Sequence, residues 1–473
     1  MTQDHTTLPV PMKTLTTLRR AVDDLFPQLQ AELEALVRIP GIAMASFDQV
    51  HVEASAKAVA ELLRDVGLPE VEILRASKPD GTPGAPAVVA RKPAPPGAPT
   101  VLLYAHHDVQ PPGEGWNTVP FTPTQIGERL FGRGAADDKA GIIAHLGALR
   151  ALSSTGLMPD VGVAVFIEGE EEDGSPSFRN FLEQYRERLD ADVIVVADSA
   201  NWKVGIPALT TSLRGLVDGV VEVRVLDHAV HSGFFGGPVL DANVVLARLI
   251  ATLHDDAGNV AIAGLVVGDE PQVDYSEESF RAEASVLDGV QLAGSGSLAG
   301  RMWTKPSIAV IGIDATPVAS ASNTIAPSAR AKVSLRLAPG QDPTAAQEAL
   351  EAHLLANAPF GAEVIWTNES AGKPFLAPVD TAAMRAARAA FAAAWGVDPV
   401  DTGVGGSIPF IADLLEVFPN AAILVTGVED PDSRAHGANE SVHLGELRKV
   451  ILAEALLLAS IAQVVAPGED DTK

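Results

Sequence analysis

The chain has 473 residues, of which 47% are hydrophobic and 20% charged, and these values are typical of a globular protein with about two domains. Its net charge of −27 argues against nucleic acid and anionic membranes as partners, because an acidic surface repels their phosphate groups. The sequence contains no cysteine, which excludes disulfides and thiolate ligands, so any metal ion must be held by His, Asp and Glu.

The amino-terminal stretch "MTQDHTTLPVPMKTL" lacks the apolar core of a signal peptide. No apolar run reaches the roughly 18 residues that a membrane span requires. We therefore expect a cytoplasmic protein without a membrane partner.

Apolar residues at helical spacing predict a helix over residues 14–38, which Pro27 is expected to kink or split, and a second helix near 51–66. The Pro- and Gly-rich stretch 77–100 predicts a loop around one short strand. Apolar strands and amphipathic helices then alternate in "VLLYAHHD", "KAGIIAHLGALRAL", "VGVAVFIEG", "SFRNFLEQYRERL" and "ADVIVVADS". This alternation predicts an α/β domain with a mixed, mostly parallel sheet flanked by helices.

The pattern changes in the middle of the chain. "GVVEVRV" and "RAKVSLRLAP" alternate apolar and polar residues, as strands with one solvent-exposed face do, and helical segments lie near 240–255 and 343–357. Afterwards the first pattern returns, with the helix "AAMRAARAAFAAAWG", the strand "NAAILVTG" and a long helix near 443–464. We therefore predict that an α+β two-layer domain over 213–377 is inserted into an α/β domain formed by 1–212 and 378–473.

Acidic and histidine side chains gather where the apolar strands end. They are His106, His107, Asp108, Asp137, Asp138, the run Glu170–Asp173, Asp198 and His436. Functional groups of an α/β sheet collect at strand ends, and imidazole with carboxylate suits zinc, manganese or cobalt. Two cations would also offset the repulsion among the clustered acids. Any one of these residues alone is more often a helix cap or a solvated charge, so the interpretation depends on the combination.

Seven motifs make the interpretation more specific. In chain order they are "YAHHDVQPPGEGW", "FGRGAADDKAG", "EGEEEDGSPS", "VVADS", "HSGFFGG", "GGSIPF" and "RAHGANE". Together they resemble the di-zinc amidohydrolase and metallopeptidase family that contains carnosinase-like dipeptidases, glutamate carboxypeptidase and succinyl-diaminopimelate desuccinylase. The resemblance covers nearly the whole chain and is closest to the dipeptidase branch. It implies a catalytic domain with an inserted lid and dimerisation domain, and hence a homodimer.

The resemblance also implies a ligand set for two divalent metal ions, most often Zn²⁺, with Mn²⁺ or Co²⁺ as alternatives. One ion would be bound by His106, Asp137 and Asp198. The other would be bound by Asp137, Glu172 and His436, so that Asp137 bridges the pair. The peptide bond after Asp137 is often cis in this family.

The same resemblance assigns the catalytic groups. Asp108 would orient the imidazole of His106, and Glu171 would be the general base. Glu171 would activate a metal-bridging water to attack an amide carbonyl and then pass the proton to the leaving amine. Counting back from "GS" in "EEEDGS" selects Glu171 and Glu172; a shift of one would give their roles to Glu170 and Glu171.

Two further residues compete for roles near these motifs. The family usually has Gly before its metal-binding His and Tyr after it, whereas this chain has Ala105 and His107, so His107 is a rival ligand. Asp138 is the better candidate for the N-cap of the helix that follows it.

The substrate is expected to meet residues of the inserted domain. His231 of "HSGFFGG" would help to stabilise the oxyanion and would come from the partner subunit. Arg336, on the polar face of "VSLRLAP", would bind a substrate carboxylate, its alternative being a solvated strand residue. Further substrate contacts are expected from Asn323, Thr324, Gly406 and Ser407, the last two at a predicted helix start.

The predicted function is therefore metal-dependent hydrolysis of the amide bond in dipeptides or short peptides with a free carboxylate. An N-acyl-amino-acid deacylase with the same mechanism is an alternative, because its substrates are also amides beside a carboxylate. A non-catalytic binding protein of the same fold is the alternative from a different class, and it predicts a damaged ligand set.

Overall fold

The computed structural model describes residues 10–406 and 409–464. The α-helices in this part of the chain are α1 (Met12–Val37), α2 (Val50–Asp65), α3 (Lys139–Thr155), α4 (Phe178–Gln184), α5 (Arg186–Leu189), α6 (Ser232–Phe235), α7 (Ala242–Ala251), α8 (Glu277–Glu283), α9 (Leu298–Trp303), α10 (Pro343–Ala356), α11 (Ala382–Trp395), α12 (Pro409–Val417) and α13 (Leu444–Val464).

The strands are β1 (Glu72–Leu74), β2 (Ala87–Lys92), β3 (Thr100–His106), β4 (Thr124–Ile126), β5 (Arg129–Phe131), β6 (Gly162–Glu168), β7 (Val193–Val196), β8 (Ala208–Leu213), β9 (Gly215–Arg224), β10 (Val230–His231), β11 (Ser307–Asp314), β12 (Thr324–Ile325), β13 (Ser328–Leu337), β14 (Glu363–Gly372), β15 (Phe375–Leu376), β16 (Val400–Val404), β17 (Ala422–Val425) and β18 (Ser441–His443).

The described residues form two compact units. The first contains the chain up to Thr211, Ala377–Thr402 and the described part from Asp413 onward, and the second contains Ser212–Leu376 with the described part of 403–412. Within the predicted second segment of the catalytic domain, 378–473, the described residues of 403–412 group with the second unit. The reason is local: Arg214 of that unit holds the carbonyl oxygens of Val404 and Gly405.

The first unit is built on a mixed sheet in the order β1-β2-β6-β3-β7-β17-β8. Its central pairs β6–β3, β3–β7 and β7–β17 are parallel, whereas β1–β2, β2–β6 and β17–β8 are antiparallel. Every residue of β3 and β6 is buried, as expected for strands covered on both faces. This confirms the mixed α/β fold class, and it aligns the ends of β3 and β6, where His106 lies opposite Glu168.

Helices α1, α3, α11 and α13 pack against one another in this unit. Of the two predicted effects of Pro27, a kink or a split, the split does not occur, because helix α1 runs unbroken through this proline. Val22, Phe26, Leu29 and Leu33 form one buried stripe on both sides of the proline. This packing stabilises a single helix despite the cost of proline in a helix interior.

The segment "SFRNFLEQYRERL", predicted as one helix, forms two. Tyr185 between α4 and α5 has φ −110° and ψ 24°, outside helical values. Its hydroxyl donates to the carbonyl oxygen of Arg75 at 2.9 Å, and its ring packs on Phe181. These tertiary contacts fix the tyrosine where the helix is interrupted.

The second unit contains an antiparallel sheet in the order β11-β13-β9-β14, with α7 and α10 packed on it. Strand β9 alternates buried and part-exposed residues, as predicted for a strand with one free face. The buried face supplies a core in which Val217, Val221 and Val223 meet Leu246 of α7 and Leu350 of α10. A separate short ladder joins β10 to β12.

No helix in the described part of the chain combines the length and apolar character needed to cross a membrane.

Candidate metal centre

His106 ends β3 and its side chain is fully buried. Its Nε2 lies 3.0 Å from Oδ1 of Asp137 and 3.9 Å from Oδ1 of Asp198. Its other ring nitrogen, Nδ1, lies 3.4 Å from Oδ1 of Asp108 and 3.2 Å from the carbonyl oxygen of the same residue. The imidazole is thus oriented by Asp108 on one side and faces two carboxylates on the other.

Asp137 presents its second oxygen to another histidine. Nε2 of His436 lies 3.1 Å from Oδ2 of Asp137 and 3.0 Å from Oε2 of Glu172. Two groups of ligand atoms therefore share Asp137, one with His106 and Asp198 and one with Glu172 and His436, and within each group the atoms lie within 4.8 Å of one another. These five residues are the set that the motifs imply for a dinuclear site.

The turn that carries the acidic run follows β6 directly. Glu171, Glu172 and Asp173 form one turn of 3₁₀-helix that ends at Gly174, whose φ of 84° is in the left-handed region. The carboxylate of Asp108 accepts hydrogen bonds from the backbone nitrogen of Glu171 at 3.1 Å and from that of Glu172 at 3.0 Å. The end of β3 therefore fixes where this turn lies.

Gln110 holds the side chain of Glu172. Its Nε2 donates to Oε2 of Glu172 at 2.8 Å, and its backbone nitrogen donates to Oε1 at 3.1 Å. No role was predicted for Gln110, although it lies within the "YAHHDVQP" motif. Its position two residues beyond Asp108 is the only signal that the sequence offers.

Glu170 is directed elsewhere. Its carboxylate accepts from the backbone nitrogens of Ala85 and Ser177, both at 2.8 Å, and lies 3.6 Å from Nζ of Lys78. Glu170 belongs to neither group of ligand atoms, whereas Glu172 belongs to the group with Asp137 and His436. The geometry therefore favours the alignment in which Glu171 and Glu172 hold the two positions.

The rival residue His107 also points away from both groups. Its side chain is buried, and Nε2 lies 2.8 Å from the carbonyl oxygen of Pro86. Burial lowers the pKa of His107, which keeps this imidazole neutral at physiological pH. In the described structure His107 is a core residue and not a member of either ligand group.

Asp138 occupies the N-cap position of α3, as predicted, but its side chain makes no capping hydrogen bond. Its Oδ2 instead accepts from the backbone nitrogen of His106 at 3.1 Å. The Asp137–Asp138 peptide bond is cis, as the resemblance implied.

Glu440 organises the loop in front of Asp137 and was missed as a functional residue. Its Oε1 accepts from the backbone nitrogens of Ala136 at 2.9 Å and Asp137 at 3.1 Å. Its Oε2 accepts from Nη1 of the buried Arg133 at 2.6 Å and from the nitrogen of Gly134 at 2.9 Å. The motifs "FGRG" and "ANE" each contain one member of this pair, but only the fold brings them together.

Burial and close neighbouring charges shift the pKa values of several groups at this site. Burial and the neighbouring Asp198 raise the pKa of Glu171 to about 9. Burial, with Asp137 and Glu172 nearby, raises the pKa of Asp198 to about 7. Hydrogen bonds to Asp137 and Glu172 raise the pKa of His436 to about 11. The protein alone therefore attracts positive charge here, and its imidazole and carboxylate donors fit two divalent cations such as zinc, manganese or cobalt.

In the second unit the ladder between β10 and β12 pairs His231 with Thr324. The backbone carbonyl of Asn323 accepts from the nitrogen of Ser232 at 3.0 Å, so Asn323, Thr324 and His231 lie together. Nδ1 of His231 accepts from the nitrogen of Gly233 at 3.0 Å, which leaves the hydrogen of the neutral ring on Nε2. This exposed imidazole is therefore set to donate from Nε2.

The other predicted substrate contacts lie elsewhere in the second unit. Arg336 is in β13, opposite Ser307 of β11 and Leu216 of β9. Gly406 follows the segment that Arg214 holds, and Ser407 lies outside the described residues.

Comparison with known proteins finds relatives that cover most of this chain. A curated relative, the cysteinylglycine-S-conjugate dipeptidase of Corynebacterium striatum, is 36% identical over 423 residues, which cover 88% of this chain and 91% of that protein. Among solved structures, the dipeptidase Dug1p from Saccharomyces cerevisiae superposes with a TM-score of 0.73 at 23% identity, over 95% of this chain and 98% of that one. Human carnosine dipeptidase 1 gives a TM-score of 0.72 at 24% identity, over 96% and 100% of the two chains.

The model of peptidase family M20/M25/M40 matches residues 102–460, which include all five residues of the two ligand groups. The chain therefore belongs to peptidase family M20/M25/M40.

Proposed function

We propose that this enzyme is a metallodipeptidase that hydrolyses dipeptides or short peptides with a free carboxylate. The observation that carries the proposal is the sharing of Asp137 between two groups of ligand atoms, with Glu171 held beside them through Asp108. The relatives named above are dipeptidases, which supports the dipeptide as substrate class.

Two divalent cations fit the site, one at His106, Asp137 and Asp198 and the other at Asp137, Glu172 and His436. We propose zinc, with manganese or cobalt as alternatives, because these metals accept mixed imidazole and carboxylate ligands. When bound, such a pair polarises the scissile carbonyl and lowers the pKa of a water molecule toward about 7.

Glu171 is the proposed general base. Its carboxylate takes a proton from the attacking water and delivers it to the nitrogen of the leaving amine. Burial and Asp198 raise the pKa of Glu171, and nearby cations would lower it again, so that the carboxylate is charged when the site is loaded. Asp108 fixes the backbone of Glu171 and the ring of His106 with one carboxylate, so it couples the base to a ligand.

The inserted domain supplies the remaining proposed groups. His231 of the partner subunit donates from Nε2 to the oxyanion, which requires a homodimer formed through this domain. Arg336 binds the substrate carboxylate, with Asn323, Thr324, Gly406 and Ser407 as further contacts. Domain boundaries near 213 and 377, and a cytoplasmic location, stay predictions.

A substrate panel tests the proposal. The enzyme is stripped of metal, reloaded with zinc, manganese or cobalt, and assayed with free dipeptides and with N-acetyl and N-succinyl amino acids. We expect the reloaded enzyme to cleave free dipeptides. Cleavage of acylated amino acids without dipeptide turnover would overturn the proposal in favour of a deacylase. No turnover of either class by a metal-loaded, folded protein would favour a binding protein.

A further inference from the structure

Arg214 lies between β8 and β9, in the second unit, and holds the segment that leads to Gly406. Its backbone nitrogen donates to the carbonyl oxygen of Val404 at 3.2 Å, and its Nε donates to that of Gly405 at 2.9 Å. Two successive carbonyl groups of this segment are therefore fixed by one residue.

The same guanidinium reaches the strand beside Arg336. Its Nη1 donates to Oγ of Ser307 at 2.8 Å and to the carbonyl oxygen of Arg301 at 3.4 Å. Ser307 is the residue of β11 directly opposite Arg336 in β13. Arg214 thus joins the Gly405 segment to the strand pair that carries Arg336.

The contacts need the shape of a guanidinium. Nε and Nη1 point in different directions from one rigid plane, a geometry that the single ammonium group of lysine does not have. The guanidinium also packs directly on a glycine: a Cβ at Gly405 would lie 3.0 Å from Nη2 of Arg214 and 3.2 Å from the carbonyl oxygen of Met302. Any side chain at position 405 would therefore clash with the guanidinium of Arg214 or displace it.

Arg214 carries a positive charge with neutral partners. Within the described residues it makes no ion pair with a carboxylate, and its hydrogen bonds go to carbonyl and hydroxyl oxygens. Burial lowers the pKa of Arg214 to about 10, and the nearby charge of Arg336 contributes to this shift. A carboxylate that binds beside these two guanidinium groups would be attracted by both charges.

We propose that Arg214 is a positioning residue for the carboxylate end of the substrate, acting through Arg336 and the Gly405–Gly406 segment. It holds the segment in register with the strand pair of Arg336 and adds its charge to the field at that guanidinium. This inference rests on the proposed function, because it assumes that Arg336 binds a substrate carboxylate.

The test compares a dipeptide with its C-terminal amide. For wild type, the ratio of kcat/KM for the free dipeptide to that for the amide measures recognition of the carboxylate. We expect Arg214→Met to lower this ratio by about 10-fold or more, mainly through a higher KM for the free dipeptide. The reason is that the charge-assisted hydrogen bonds from Arg336 to the substrate carboxylate are strong and would lose their alignment. Arg214→Lys keeps the charge and should recover part of the ratio.

Two further variants control the experiment. Arg224→Met removes a half-exposed arginine at the far end of β9 that pairs loosely with Glu222 and Glu363, and it should leave the ratio unchanged. Gly405→Ala should lower the ratio without removing any charge, so it tests the proposal even where Arg214→Met folds poorly.

The outcomes are separable. A purely structural role for Arg214 would reduce the active fraction for both substrates equally and leave their ratio at the wild-type value, which would overturn the inference. Loss of both substrates by wild type itself would instead refute the proposed function. Metal content and thermal unfolding, measured for each variant, show whether the folded fraction is the same.

Discussion

The carboxylate of Asp108 accepts a hydrogen bond from the backbone nitrogen of Glu171 at 3.1 Å, across 63 residues of sequence. The same carboxylate lies 3.4 Å from Nδ1 of His106. A substitution at Asp108 should therefore affect both the proposed base, Glu171, and the proposed metal ligand, His106.

We expect Asp108→Asn to lower kcat/KM or metal affinity by roughly 10–100-fold, as is usual for partners that orient metal ligands. The amide of Asn would direct N–H groups toward an N–H donor, which repels the turn of Glu171 and Glu172. Steady-state kinetics and metal titration measure the effect, with the exposed Asp160→Asn as the control. Wild-type values for both quantities in Asp108→Asn would contradict the role given to this residue.

Glu171→Gln separates catalysis from metal binding. The amide cannot take the proton of water, so we expect kcat to fall by about 10²–10⁴-fold while the metal content stays at the wild-type level. Glu172→Gln should instead lose metal, because Glu172 belongs to a ligand group. Metal analysis of both proteins, with Asp173→Asn as the control, gives the comparison. Unchanged hydrolysis by Glu171→Gln would refute its assignment as the base.

Removing the metal should abolish activity and lower the temperature of unfolding, since a ligand that binds only the folded state stabilises it. We expect zinc, manganese or cobalt to restore both, with binding that saturates at two ions per chain. His436→Ala should bind one ion less tightly, because its Nε2 lies against both Asp137 and Glu172. Saturation of wild type at a single ion would contradict a dinuclear site.

Glu440→Gln should destabilise the fold, because it leaves the buried charge of Arg133 without its partner. Both side chains are buried, and Nη1 of Arg133 lies 2.6 Å from Oε2 of Glu440. A buried charge that loses its partner costs about 3–5 kcal/mol of unfolding free energy. Urea unfolding measures the change, and Asp314→Asn, which breaks the exposed pair with Arg330, should alter stability by about 0.5 kcal/mol or less. Equal stabilities of the two variants would be evidence against this assignment.

The buried pair of His145 and Glu454 predicts a pH dependence of stability. Nδ1 of His145 lies 2.8 Å from Oε1 of Glu454, and this carboxylate raises the pKa of His145 against the effect of burial. A histidine whose pKa is higher in the folded state stabilises the fold below its unfolded pKa of about 6.5 and loses that contribution as pH rises through the folded pKa.

Glu454→Gln should therefore lose more stability at pH 6 than well above the folded pKa, with a difference on the order of 1 kcal/mol per unit of pKa shift. Unfolding in urea at a series of pH values measures it. The same loss at every pH would mean that the pair contributes by packing alone.

Local pattern was enough to predict much of the fold. Alternating apolar strands and helices predicted the mixed α/β domain, because burial on both faces leaves long apolar runs that are visible in sequence. Prediction was wrong where tertiary contacts overrode local preference. The buried stripe of α1 carries the helix through Pro27, and the hydroxyl contact of Tyr185 accompanies the break between α4 and α5.

Residue types and their order in the chain were enough to show which chemistry is available: a chain without cysteine, with histidine and acids at strand ends, in an order that resembles one peptidase family. Which oxygen faces which nitrogen depends on the three-dimensional fold. Asp137 meets both His106 and His436, Glu170 turns toward Lys78, and Glu440 reaches Arg133 from 307 residues away. Such contacts depend on where strand ends meet after folding, and local sequence pattern does not encode separations of that length.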